Sequence, residues 1–128
     1  MENNVVHALI EIPLGSKNKY ALDILVICSD PTFPGCTVPA RVLGYLDMVD
    51  GGKTDYKLIS VVDCDPRYAD VQTLEDLSPF VLKEIANFFA NYKVLQDIHV
   101  KVGEYHPKEE AVRVIQECRK AWEMQNAE

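Results

Sequence analysis

The densest run of chemically capable residues is Met48-Val-Asp-Gly-Gly-Lys-Thr-Asp-Tyr-Lys57. Asp50 and Asp55 flank a tight turn, which lets their carboxylates face each other across the end of a hairpin. Asp55 and Lys57 stand two apart on an extended stretch and so point to one face. Two carboxylates about 4 Å apart repel by about 1 kcal/mol in water and by about 4 kcal/mol at an effective dielectric of about 20. Such a pair is stable when solvated, protonated or bridged by a cation. Oxygen donors without His or Cys suit a hard ion such as Mg2+, which in turn binds phosphate oxygens. The same residues also describe a solvated hairpin tip, and this window alone leaves both readings open.

Three further windows carry weaker signals. Glu11-Ile-Pro-Leu-Gly-Ser-Lys-Asn-Lys-Tyr20 sets one carboxylate, two lysines and a tyrosine around a Gly-Ser turn, a set that suits either phosphate contact or a solvated loop. Phe88-Phe89-Ala-Asn-Tyr92-Lys93 reads as a helix end, with the two phenylalanines in the core, Tyr92 continuing the apolar face and Lys93 at the negative end of the helix dipole. Asp63-Cys-Asp65-Pro66-Arg67-Tyr68 is acidic and turn-like, with no chemistry of its own. His7, His99 and His106 have no spacing that makes a ligand set. Cys28, Cys36, Cys64 and Cys118 contain no Cys-x-x-Cys pair and read as buried reduced thiols rather than a zinc site or disulfide framework.

The elements that must position these windows change period half-way along the chain. Val5–Ile12, Leu22–Cys28, Thr37–Val49 and Asp55–Val62 are apolar runs bounded by Pro, Gly, Ser and Asp, the pattern of strands and turns. Pro39 places its strand at an edge or a strand start. Asp50-Gly51-Gly52-Lys53 is a hairpin turn, because glycine tolerates positive φ. Ser78-Pro79 starts a helix, with Ser78 as N-cap, and Val81, Leu82, Ile85, Phe88 and Tyr92 recur at helical spacing through about Lys93. His99–Val102 is a short strand, and Pro107 opens a last helix with the stripe Ala111, Ile115, Cys118 and Trp122. Strands first and helices after predict an α+β, mainly β domain.

With 128 residues, 48% hydrophobic and 26% charged, the chain is of single-domain size and has enough apolar surface for a core. No apolar run reaches the roughly 18–20 residues of a membrane span, and the polar start Met1-Glu-Asn-Asn4 lacks targeting character, so a cytoplasmic setting is expected. Thirteen basic against twenty acidic residues give a net charge of −7, which opposes nucleic-acid binding.

In order along the chain, these windows resemble the soluble family I inorganic pyrophosphatases. "IEIPLGSKNKY" at Ile10–Tyr20 is similar to the family's I-E-I-P-x-G-S-x-x-K-Y, and "LDILV" at Leu22–Val26 to the end of D-G-D-P-x-D-V-L-V. "PGC…ARVLGYLDMVDGGKTDYKLISV" resembles the P-G-x-x-x-x-x-R-x-x-G-x-x-x-M-x-D-x-x-x-x-D-x-K segment, and "ANFFANYKVL" the H/R-F-F-x-x-Y-K element with Asn87 in place of the basic residue. The resemblance implies Mg2+-dependent hydrolysis of pyrophosphate to two phosphates on a small OB-like β-barrel with two C-terminal helices packed outside, in a homo-oligomer. Position by position it implies that Asp23, Asp50 and Asp55 bind metal, that Glu11 is an outer metal-site residue, and that Lys19, Lys57, Tyr92 and Lys93 hold phosphate oxygens.

The resemblance breaks at one junction. Lys19-Tyr20-Ala21 runs directly into Leu22-Asp23, where the family carries a few dozen residues that include the first two aspartates of D-G-D-P-x-D, one a metal ligand and one the general base. The implied barrel is therefore incomplete, and the catalytic base has no counterpart. General acid–base help is worth roughly 10²–10⁴-fold, so a low rate is expected. The alternative expectation is an impaired relative that acts as an interaction or regulatory partner of a full-length copy, pairing through exposed strand edges.

Overall fold

The computed structural model describes residues 4–9, 22–30 and 32–126. Among these residues six strands and two α-helices follow in the order β1 (Val5–Leu9), β2 (Asp23–Ile27), β3 (Thr37–Asp50), β4 (Lys53–Thr54), β5 (Lys57–Val62), α1 (Pro79–Asn91), β6 (Val100–Pro107) and α2 (Lys108–Asn126). The strands form one mixed sheet with the path β1-β3-β5-β2, while β4 and β6 also pair with β3. β3 is the hub. Its start pairs antiparallel with β1 (Val5 opposite Arg41), and its second half with β6 (Asp50 opposite Val100). β5 runs antiparallel along the opposite edge, from Ala40 opposite Val62 to Leu46 opposite Lys57. β2 then joins β5 in parallel, which sets Asp23 beside Lys57. The result is an open curl of sheet with two helices, an OB-like barrel that is not closed between β1 and β2 among the described residues.

Both faces of β3 are covered. Val42 and Tyr45 meet Leu58 and the Ala111, Val114 and Ile115 stripe of α2, whereas Leu43 meets Ile59, Val61, Leu74 and Leu77. Leu46 and Met48 pack on Phe89 of α1. Every residue from Ala40 to Leu46 is buried, Gly44 included, so the period-2 polarity of a one-sided strand is absent. Pro39 is tolerated because it is the third residue of β3, with its carbonyl accepting from Asp63 N at 2.8 Å. The hairpin after Asp50 closes through Gly51 and Gly52 at φ 59° and 83°, values that disfavour any side chain.

Local signals set the helix start. Ser78 Oγ accepts from Phe80 N at 3.3 Å, and Pro79 takes the first helical position, where a missing N–H costs nothing. Several expectations need correction. Phe88 is 59% exposed while Phe89 is buried, since the helix turns the first of the pair outward. Trp122 is half-exposed, whereas Cys118 of the same stripe packs against the core around Val42 and Tyr45. The thiols are free, but none is fully buried, and Cys64 is exposed in the turn after β5. Strand β6 runs on to Pro107, so Pro107 ends a strand rather than opening a helix.

The turn-like acidic segment has a structural role. Arg41 is buried and donates from Nε to Val71 O at 3.0 Å, from Nη1 to Asp63 Oδ1 at 3.0 Å and from Nη2 to Tyr68 O at 2.5 Å. Asp65 caps the short turn Pro66–Tyr68 and also accepts from Ser29 N at 3.0 Å.

Tyr105 ties β6 to α1 through a 2.7 Å hydrogen bond from its hydroxyl to Leu82 O, and burial pushes its phenol from 10.0 up to about 12. The unfolded chain ionises first as pH rises, so the folded state loses stability from about pH 10 toward about pH 12. Tyr105→Phe is expected to cost about 1 kcal/mol near neutral pH and to shrink that alkaline loss. Urea melts at about pH 8 and about pH 11 check both parts.

Candidate active site

Parallel pairing of β2 with β5 and the hairpin before β5 bring two carboxylates onto one lysine. Lys57 Nζ lies 2.5 Å from Asp23 Oδ2 and 2.8 Å from Asp55 Oδ2. The Lys57 side chain is only 7% exposed, against 61% for Asp23 and 27% for Asp55. Burial pulls the ammonium toward neutrality, but its hydrogen bonds to Asp23 and Asp55 outweigh that, and the lysine titrates above its ordinary range. At the other end of the hairpin, Lys93 Nζ donates to Asp50 Oδ2, and this bond raises the lysine in the same way.

Aromatic rings join the two ion-paired groups. Lys57 Nζ stands 5.8 Å from the centroid of Phe89, Phe89 meets Tyr92 edge-on at 5.6 Å, and Lys93 Nζ stands 5.3 Å from the Tyr92 ring. Two ammoniums therefore sit on one aromatic platform, each backed by carboxylate. Position in the helix explains the platform, since Phe89 and Tyr92 are three apart at the end of α1 and share a face.

Of the residues singled out from sequence, Asp23, Asp50, Asp55, Lys57, Tyr92 and Lys93 come together here; Glu11 and Lys19 lie outside the described residues. Asp50 and Asp55 do not face each other as an isolated pair. Each is drawn instead to a lysine, because an ammonium relieves the charge that a second carboxylate would add. Phe89 was legible only as core, yet it is also the floor under Lys57. A separate cluster was missed: His106 Nδ1 lies 3.0 Å from Glu110 Oε2, and its ring stacks on Tyr45 at 4.6 Å. The four-residue spacing of His106 and Glu110 was the available signal.

The donor chemistry bears on metal binding. Asp23 and Asp55 converge on a single point, and magnesium is commonly held by one or two carboxylates, with water and phosphate completing its shell. The pair fits such an ion. It does not make an all-protein cage, since the described residues contain no group of three or more His, Cys, Asp or Glu side chains placed for a metal.

A model of the inorganic pyrophosphatase family matches residues 21–123. The chain belongs to the inorganic pyrophosphatase family. The inorganic pyrophosphatase of Halalkalibacterium halodurans is 41% identical over 155 aligned positions, taking in 92% of this chain and 95% of the relative. That of Geobacillus stearothermophilus is 41% identical over 154 positions, with 91% and 93% covered. The crystal structure of inorganic pyrophosphatase from Thermus thermophilus shares the fold with a TM-score of 0.83 at 29% identity, covering 94% of this chain and 92% of that one.

Both sequence alignments are longer than the 128 residues of this chain, so these pyrophosphatases carry residues with no counterpart in it. The span matched by the family model begins at Ala21, beside the junction with Leu22, and takes in all six of the gathered side chains. The family model's match thus takes in the part of the chain that builds the platform and its ion pairs.

Proposed function

We propose that this chain binds inorganic pyrophosphate on the Lys57–Phe89–Tyr92–Lys93 platform and hydrolyses it to two phosphates with Mg2+, at a low rate. One observation carries this reading: two ammoniums, one over Phe89 and one over Tyr92, are linked by these contacting rings and paired with three carboxylates. Lys57 and Lys93, with Lys19, supply N–H donors to phosphate oxygens, and the Tyr92 hydroxyl adds another. Asp23, Asp50 and Asp55, with Glu11, hold the metal. When bound, the ion neutralises charge on the phosphate oxygens and makes water a better nucleophile at neutral pH.

Proton removal from the attacking water is the weak step. Asp23, Asp50 and Asp55 each sit against a lysine, and the aspartate that the family uses as general base has no counterpart where Ala21 runs into Leu22-Asp23. Phosphate release from pyrophosphate, measured with and without Mg2+ on folded, monodisperse protein, is expected to be Mg2+-dependent and roughly 10²–10⁴-fold below that of the full-length bacterial relatives. A folded protein that neither releases phosphate nor binds pyrophosphate would remove the reading. Binding without turnover would favour the second reading, a non-hydrolytic partner of a full-length copy, for which the outer edge of β2, unpaired among the described residues, is the point of attachment.

A further inference from the structure

We infer that Lys57 is a tethered counter-ion for Asp23 and Asp55, so that a divalent cation reaches these carboxylates only by displacing its ammonium. The inference rests on the pyrophosphate reading of the same site and concerns how that site admits its ions.

Geometry gives the first reason. The ammonium occupies the point on which the two carboxylates converge, 2.5 Å from one and 2.8 Å from the other. A cation bridging Asp23 and Asp55 needs that same point. Exposure gives the second. Both carboxylates open to solvent while the lysine is enclosed behind them, so an arriving ion meets Asp23 and Asp55 before it meets Lys57. Charge gives the third. Two units of positive charge beside an ammonium repel twice as strongly as two single charges at the same separation, and partial burial keeps that repulsion from being screened away. The ion and the ammonium therefore exchange places rather than share them.

A displaced ammonium is left above the Phe89 ring without its carboxylates, and on a flexible four-carbon stem it can turn to a new anion. A phosphate oxygen is such a partner. Metal entry thereby releases a phosphate-binding group, and phosphate capture removes the competitor of the metal. The coupling is reciprocal, so each ligand tightens the other by the same factor. Before any ligand arrives, the lysine relieves the repulsion between Asp23 and Asp55.

The test separates this exchange from a lysine that only binds phosphate. Mg2+ alone is titrated by calorimetry into the full chain and into Lys57→Gln, with circular dichroism verifying the fold of each. Lys57→Gln is expected to bind Mg2+ about tenfold or more tightly than the unaltered chain, and to bind inorganic phosphate alone more weakly. Equal or weaker Mg2+ binding by folded Lys57→Gln, including none in either protein, overturns the inference. If Lys57→Gln does not fold, amine acetylation read by mass spectrometry on the unaltered chain decides. Added Mg2+ should raise labelling of Lys57 several-fold while exposed Lys101 stays constant, and an unchanged Lys57 overturns the exchange. Failure of the pyrophosphate reading shows elsewhere, as absence of both pyrophosphate binding and phosphate release in the unaltered chain.

Discussion

Arg41→Ala is expected to destabilise the chain by about 2–4 kcal/mol, with the transition in urea shifting to lower concentration. The guanidinium is buried and donates to four acceptors in one stretch, the carboxylate and carbonyl of Asp63 and the carbonyls of Tyr68 and Val71. Alanine removes the donor from those three carbonyls and the counter-charge from the carboxylate. The Asp63 side chain is 39% exposed and recovers part of its loss from water, which keeps the estimate below that for a fully buried pair. Asp63→Ala should therefore cost distinctly less than Arg41→Ala. Equal losses would mean that the ion pair, and not the carbonyl contacts, holds the segment. Arg41→Lys keeps the charge but cannot reproduce the fork of donors, and should recover only a minor part of the stability.

Gly44→Ala is expected to lower stability by about 3 kcal/mol or more and the thermal midpoint by roughly 10 °C. A Cβ on Gly44 would stand 2.3 Å from the carbonyl oxygen of His106 and 2.5 Å from Leu74 Cδ1. Leucine can shift, but the carbonyl belongs to β6 and cannot retreat without drawing that strand away from β3. Gly44 also sits at the irregularity in the β3–β5 register, where Val42 opposes Ser60 and Gly44 opposes Ile59, so both edges of β3 feel the change. Gly103→Ala supplies the comparison. There the nearest contact would be Asp47 O at 3.1 Å, and a loss smaller than that at Gly44 is expected from paired thermal melts.

Features carried by adjacent residues were legible in the sequence. The Asp50–Lys53 turn, the Ser78-Pro79 helix start and the positions of β2, β3 and β5 all follow from residues within a few places of one another. The length of β6 was not. The sequence reading stopped the strand at Val102, and pairing with β3 carries it on to Pro107. The site was legible as a set of residues but not as a set of bonds. Asp23 and Lys57 are far apart in sequence and become partners because β2 lies parallel to β5, a relation no local spacing encodes. Likewise, nothing near Asp63 announces Arg41 as its partner. The choice of lysines over a second carboxylate for Asp50 and Asp55 is an electrostatic outcome of the assembled fold.

β3 has neighbours along both edges and cover on both faces, so from Ala40 to Leu46 it has no outside. In evolutionary terms this stretch has the least room to drift. A change of volume there meets a packed neighbour, and a change of polarity meets a dry one. The exposed ring of Phe88 and the last turns of α2 meet water instead, and sequence differences that leave the fold untouched should accumulate at such places.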